Sequence, residues 1–235
     1  MTPLITSIRY LICLVPLLVL AACTTLPRPG SDFRPGAVVE TLSSAVSLSI
    51  QTNDASMGGH GFMVYRRPDQ LHLVILSPFG TTFMEAFVQG DRITLVYPSR
   101  ATAYSGPISE LPEKSGMPGW RMMRWIMDAD PPPADGVVDG AVERIARQGG
   151  REQVTFENGL VIAKSTPAGD RVYYSRYTVV NGVPLATEID LRNTRDDRFL
   201  LTLSEPEVNT PLDDAALLPG LDGMTVLPLA ELKGM

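Results

Sequence analysis

Residues 171–192 read RVYYSRYTVVNGVPLATEIDLR. Two runs rich in Val, Tyr, Thr and Ile flank Asn181-Gly182, a pair that tolerates positive φ and is the strongest short-range hairpin signal. In the second run Ile189 and Leu191 alternate with Glu188, Asp190 and Arg192. A strand so patterned buries one face and wets the other. Asn193–Asp197 then turns the chain into Phe199–Ser204, where Phe199, Leu201 and Leu203 oppose Thr202 and Ser204. Upstream, Val142–Gln148, Gln153–Phe156 and Leu160–Ser165 are separated by Gly149-Gly150 and Asn158-Gly159, again strand and turn.

The same pattern fills the N-terminal half. Ala45–Thr52 alternates Val46, Leu48 and Ile50 against Ser47, Ser49 and Gln51. Gly61–Arg67 and Leu71–Ser77 flank Pro68-Asp69-Gln70, a turn signal. The simplest register sets Arg67 opposite Gln70, His72 opposite Tyr65 and His60 opposite Ser77. Phe83–Gln89 and Arg92–Tyr97 flank Gly90-Asp91, and Ala101–Ser105 continues the meander. The sum is about eleven strands, a mainly β chain forming a large antiparallel sheet or barrel. Leu71, Leu73 and Ile75 share one greasy face that something must cover.

One long helix is expected, over Trp120–Ala129, between Pro118-Gly119 and Pro131-Pro132-Pro133. Arg124 and Asp128 stand at the favourable i, i+4 spacing. Trp120, Met122, Met123, Ile126 and Met127 make an apolar arc wider than a surface helix requires. Such a helix either plugs the core or lies as a lid over irregular apolar contents, which Met accommodates. Leu212–Leu218 reads as a short helix, and Val226–Leu232 as a segment lying along the sheet.

Composition narrows the function. The 235 residues are 44% hydrophobic and 20% charged, with 20 Gly and 20 Pro, which fits one turn-rich domain. The formal charge is −6, with no basic run, so nucleic acid is excluded as a partner and anionic lipid surfaces are poorly attracted. Only two His and two Cys nearly exclude a metal site of several His or Cys ligands, and no cofactor is implied. There is no P-loop, dinucleotide turn, zinc-protease helix or nucleophile elbow. Gly58-Gly59-His60-Gly61 reads as a Gly-rich strand entry. His60 and His72 read as structural, the Glu188–Asp190 row as a charged outer face, and Arg66-Arg67 as solvated. No catalytic residue emerges, and the chain is not expected to be an enzyme. The composition suits holding a greasy ligand.

The first residues carry an address. Tyr10–Leu20 is almost wholly apolar, too short to span a bilayer and sized as a signal-peptide core. It ends in Leu20-Ala21-Ala22-Cys23, which resembles the lipobox of bacterial lipoproteins. That resemblance implies cleavage before Cys23 and acylation of Cys23, anchoring the chain to membrane by several acyl chains. The mature domain then has no thiol, and its charge becomes −7 because Arg9 is lost. Thr24, in place of the Asp that resembles an inner-membrane retention signal, favours the outer membrane. Residues 23–36 form an extended Pro/Gly-rich tether.

The run Tyr65–Phe87 (YRRPDQLHLVILSPFGTTFMEAF), the helix containing Arg124-Trp125-Ile126 after Met117-Pro118, and Val183-Pro184 with Glu188-Ile189-Asp190-Leu191 resemble the LolB family of lipoprotein receptors and its lipoprotein-binding relatives. The resemblance spans roughly residues 41–206. It implies an unclosed antiparallel β half-barrel with a helical lid over a concave apolar face. It implies acylated lipoproteins as partners, received from a periplasmic LolA-like carrier and delivered to the outer membrane. Phe79 matches the apolar residue of a projecting loop, with Phe where Leu is usual. Leu73, Ile75, Ile189, Leu191, Phe199 and Leu201 would line the cavity, and Trp120, Met123 and Met127 the lid. The expected organisation is a signal peptide over 1–22, the lipidated tether over 23–36, the half-barrel over 37–206, and an extension over 207–235 able to fill the cavity mouth. A carrier of another apolar lipid, or a structural lipoprotein of an envelope assembly, would share this pattern.

Overall fold

The structure is a computed structural model and describes residues 36–52, 56–112, 118–129, 139–147, 149–195 and 197–232, with only the backbone of 118–121. Thirteen strands form one sheet: β1 (Thr41–Gln51), β2 (Ser56–Arg66), β3 (Gln70–Leu76), β4 (Thr82–Gln89), β5 (Arg92–Tyr97), β6 (Thr102–Pro107), β7 (Gly140–Ile145), β8 (Arg151–Glu157), β9 (Leu160–Ser165), β10 (Arg171–Val180), β11 (Val183–Arg192), β12 (Arg198–Val208) and β13 (Thr225–Pro228). Their order is β13-β6-β5-β4-β3-β2-β1-β12-β11-β10-β9-β8-β7, so the sheet is open between β13 and β7. The first strand thus sits in the middle, and two meanders run outward from it. The count exceeds the expected figure of about eleven: the twelve segments read as strands all appear, and a thirteenth joins them. The extra edge strand, β13, pairs parallel to β6 and departs from a wholly antiparallel sheet. Only four residues long, it has no alternation to announce it.

Alternation sets the inner face. Leu42, Val46, Leu48 and Ile50 of β1 are buried with Leu71, Leu73 and Ile75 of β3 and Phe199, Leu201 and Leu203 of β12. They form one continuous core with Ile189 and Leu191 of β11. The Asn181-Gly182 hairpin pairs Val180 with Val183, as its turn dictates. The β2–β3 hairpin differs from the simplest register by one residue. Arg66, not Arg67, faces Gln70; His72 faces Val64 and His60 faces Leu76. Arg67 lies beyond the β2–β3 ladder, and its amide donates to the Glu40 carbonyl on the β1 side at 2.8 Å. The one-residue difference places Tyr65 on the buried face. At Gly61 a Cβ would stand 1.7 Å from the Val74 carbonyl oxygen, so only glycine fits.

The helix α1 (Pro118–Met127) is the one α-helix among the described residues. Met123, Trp125 and Ile126 are buried against the inner face, and Met122 and Met127 are half-buried. The expected Arg124–Asp128 pair does not form. Arg124 reaches Asp69 in the β2–β3 turn at 3.6 Å, and Asp128 reaches Arg147 at 3.3 Å. Both charges tie the helix to the sheet instead of to each other.

The extension after β12 contributes to two apolar clusters: Leu229 and Leu232 are buried in the main core. Its 3-10 turn Asp214–Leu217 packs on β2 and β3. Leu221 and Met224 cover Phe87, Val96 and Ala103, a second apolar cluster distinct from the main core. Arg66, expected to be solvated, donates to the Leu212 carbonyl at 3.1 Å and pairs with Asp214. His72 is held between the Ala216 carbonyl (2.8 Å) and Glu85 (2.9 Å), stacked on Phe87. It is thus a structural histidine. The charged row of β11 is likewise structural. Glu188 meets Arg176 at 3.1 Å, and Asp190 meets both Arg192 and Arg198 at 2.9 Å.

Candidate lipid-binding site

The loop between β3 and β4 closes on itself. The Ser77 amide donates to the Thr81 carbonyl at 2.8 Å, their hydroxyls meet at 2.8 Å, and the Gly80 amide donates to the Ser77 carbonyl at 2.9 Å. Gly80 takes the positive φ that ends this turn. Clamped at its base, the loop holds Phe79 at its tip, 92% exposed. Burying such a side chain would be worth about 1.5–3 kcal/mol. Nothing among the described residues collects that energy.

Beside the loop lies a mostly apolar cavity of about 240 Å³, lined by Leu48, Met57, Gly58, Gly59, Ile75 and Phe83, with the loop's own Ser77 and Pro78. Its floor explains the Gly58-Gly59 pair. These glycines lie inside β2, and a Cβ on Gly59 would come within 3.0 Å of Ile75 Cγ2. Glycine here leaves space that a side chain would occupy. The volume is just under the ~300 Å³ at which small-molecule pockets begin. A second, tighter cavity of about 50 Å³ sits under the far end of α1 against Ile126, Met127, Tyr174, Leu185 and Ile189. Between the two, Leu73, Met123, Leu191, Phe199 and Leu201 are packed in the core. A roomier depression of about 360 Å³ by Glu143, Arg151, Gln153 and Thr166 is open and polar, and suits no greasy chain.

The C-terminal end of α1 is fastened by a buried polar cluster that sequence reading did not find. Lys164 of β9 donates to the carbonyls of Trp125 and Asp128 at 2.8 and 2.9 Å. Its ammonium also lies 3.1 Å from Glu152 of β8 and faces the Trp125 ring. Glu152 accepts from Trp125 Nε1 at 2.6 Å and from Arg144 Nε at 2.6 Å. Tyr174 donates its hydroxyl to the Ile126 carbonyl at 2.7 Å. The last carbonyls of a helix lack intrahelical partners and carry partial negative charge, so a cation there is well placed. Burial alone would raise the Glu152 carboxyl, but Lys164, Arg144 and Trp125 outweigh it and hold it below the usual carboxylate range. Burial lowers the Lys164 ammonium despite Glu152 and Asp128. One signal was available: Glu152 shares its alternation with Val154 and Phe156, a charge on a greasy row.

Of the residues expected at the site, Ile75 borders the larger cavity and Ile189 and Met127 the smaller. Leu73, Met123, Leu191, Phe199 and Leu201 lie in the packed core between them. The Trp120 side chain and Cys23 lie outside the described residues. Among the described residues no three His, Cys, Asp or Glu converge on a metal-sized space. No helix among them is long and apolar enough to cross a membrane.

An open, mainly β sheet with one helix across its apolar face defines a LolA-like fold, and three solved structures share it. A DUF1329 family protein from Desulfovibrio piger aligns with a TM-score of 0.55 and 11% identity over 77% of this chain and 90% of its own. A LolA superfamily protein from Nitrosomonas europaea gives 0.54 and 11% over 80% and 93%. A domain from Vibrio parahaemolyticus, described as an outer membrane lipoprotein-sorting protein, gives 0.53 and 10% over 75% and 88%. At such identities the likeness is one of fold. No curated protein matches the chain. The family is settled by sequence: the model for the outer membrane lipoprotein LolB matches residues 41–205, and the chain belongs to that family.

Proposed function

We propose that this chain is a periplasm-facing lipoprotein of the outer membrane that takes acyl chains of other lipoproteins into its half-barrel and helps deliver them to the membrane. The observation that carries the reading is Phe79. In a chain of the LolB family, a clamped loop holds this aromatic ring in water beside an apolar cavity. An exposed Phe at a fixed tip suits a lipid surface better than a protein interior. The matched family and the sorting domain from Vibrio parahaemolyticus support the lipoprotein class of ligand.

In this reading residues 1–22 are removed, Cys23 bears the anchoring acyl chains, and residues 23–36 tether a domain of 37–206 with its extension. A LolA-like carrier supplies the cargo. Leu73, Ile75, Ile189, Leu191, Phe199 and Leu201 meet the acyl chains, while Trp120, Met123 and Met127 cover them. The packed core between the cavities makes room by shifts of the thioethers of Met63 and Met123, which are flexible and tolerant of irregular contents. No bond is made or broken. Delivery requires only that the cavity hold acyl chains more tightly than the carrier and less tightly than the bilayer.

Replacing Phe79 by Glu tests the reading in cells and on vesicles. Delivery of lipoproteins is expected to fail while acyl uptake and melting temperature stay as they were. Unchanged delivery removes Phe79 from the mechanism and favours a carrier of another apolar lipid, which needs the cavity but not the tip.

A further inference from the structure

The larger cavity has walls of hydrocarbon and no charged side chain. Leu48, Met57, Ile75, Leu76 and Phe83 line it, and the hydroxyl of Ser77 is already bonded to that of Thr81 at 2.8 Å. A water inside would find few partners, so the space suits an apolar guest. An ester or amide carbonyl would find no side-chain donor there beyond that engaged hydroxyl, and burying it unpaired is costly. A guest with one polar end therefore enters by its methyl end. The room is finite. At about 30 Å³ for a methylene, close to the share of one water in the liquid, the cavity's 240 Å³ holds about eight. Beyond it the core is closed. Met63, Leu73, Met123 and Leu201 are all but fully buried, and the second cavity, about 50 Å³, has room for fewer than about two methylenes more. Gly59 governs the floor. Its φ lies outside the left-handed region, so the backbone does not call for glycine, and glycine inside a strand weakens it. A Cβ there would stand 3.0 Å from Ile75 Cγ2, so any side chain must displace Ile75, which borders the cavity.

We propose that this cavity is a gauge for one straight hydrocarbon chain: it takes the methyl end of a single acyl chain to a depth of about eight carbons, and Gly59 and Ile75 set that depth. The inference rests on the acyl-binding reading above and specifies which part of the cargo is held. Of several acyl chains on one lipoprotein, there is room for one at a time. Each methylene that enters the cavity leaves water for free space and raises affinity about fourfold. Each one beyond it must displace Met63, Met123 or their neighbours, exchanging one burial for another, and adds less than about twofold.

The test is calorimetric titration of the mature chain, with Cys23→Ala so that it bears no acyl chain of its own. The probe is one short peptide acylated by straight chains of about 4 to about 14 carbons, a series that reads the gain per methylene directly. Affinity is expected to climb about fourfold per methylene to about eight carbons and to flatten after it. Gly59→Ala adds a methyl that presses on Ile75, and should bring the break to a shorter chain. Ile75→Ala removes about three carbons from the lining, and should move the break to a longer chain by about as many. The two shifts run in opposite directions, so a general loss of stability cannot imitate both. A break that stays put in both variants, or a slope that holds to the longest chain, overturns the gauge and leaves acyl binding standing. No binding at any length overturns the acyl reading, and the gauge with it.

Discussion

Glu152 and Lys164 hold the C-terminal end of α1, and the two are not equivalent. Changing Glu152 to Gln strands Lys164 and Arg144 together, and one guanidinium nitrogen of Arg144 is already buried without a hydrogen-bond partner among the described residues. Breaking a buried pair in this way costs about 3–5 kcal/mol. Lys164→Met leaves Glu152 its Arg144 and Trp125 bonds, and is expected to cost less. Urea unfolding of both variants checks the order. Acid acts on the same groups. For Glu152 and Asp190 burial raises the carboxyl, but Lys164 and Arg144 in one case, and Arg192 and Arg198 in the other, bring both below their usual values. A depressed folded pKa contributes stability above the unfolded value of about 4, and that contribution is lost as pH falls through the folded value. Melting temperature should drop on the acid side of about pH 4, and less so in a Glu152→Gln, Asp190→Asn double variant. Lys164 has the opposite bearing: with its pKa lowered, the unfolded chain binds that proton more readily, so its burial as a cation opposes folding at neutral pH. At this scale the family resemblance singled out Phe79 from a local motif, and the structure shows that side chain exposed at its loop tip. Sequence reading missed Glu152 and Lys164, which meet only because β8 and β9 pair and α1 folds back over them.

The elements were more legible than their partners. Alternation and turn residues located twelve of the thirteen strands to within a few residues, because a half-buried strand writes its two faces into the sequence. The β2–β3 register was not legible, since the Pro68-Asp69-Gln70 signal marks the turn without saying whether Arg66 or Arg67 closes the ladder. The extension was legible only in outline: Leu212–Leu218 yields a 3-10 turn and Val226–Leu232 lies along the sheet edge, but its apolar residues show no period to say that Leu221 and Met224 cover Phe87 and Val96 while Leu229 and Leu232 enter the main core. A hint lay in Ala86-Phe87-Val88, an unbroken apolar run that reads as a strand covered on both faces. Ending the chain after Val208 should therefore expose Phe87 and Val96 and remove the buried Leu217, Leu229 and Leu232, and at about 1.5–3 kcal/mol for each buried side chain lost or re-exposed should cost more than about 5 kcal/mol in urea unfolding. Binding of a hydrophobic dye should rise with it. Unaltered stability would mean that the extension merely rests on the sheet.

The described domain combines an open sheet, an apolar interior and a helix fastened across it by its C-terminal end. The interior is packed along most of its length and widens beside Phe79. Fold class and family were readable from sequence because both rest on many weak signals that agree. The cavity's size was not, since it depends on how far the packed core can yield. Whether that core accepts acyl chains is the central question. It is decided by native mass spectrometry on the domain purified from a bacterial periplasm, with the signal removed after use and Cys23→Ala preventing self-acylation. Acyl-bearing adducts that pass to vesicles on mixing are the predicted result. A bare mass that stays bare after incubation with an acylated peptide would contradict it, and would mean that the protein's own side chains fill the half-barrel.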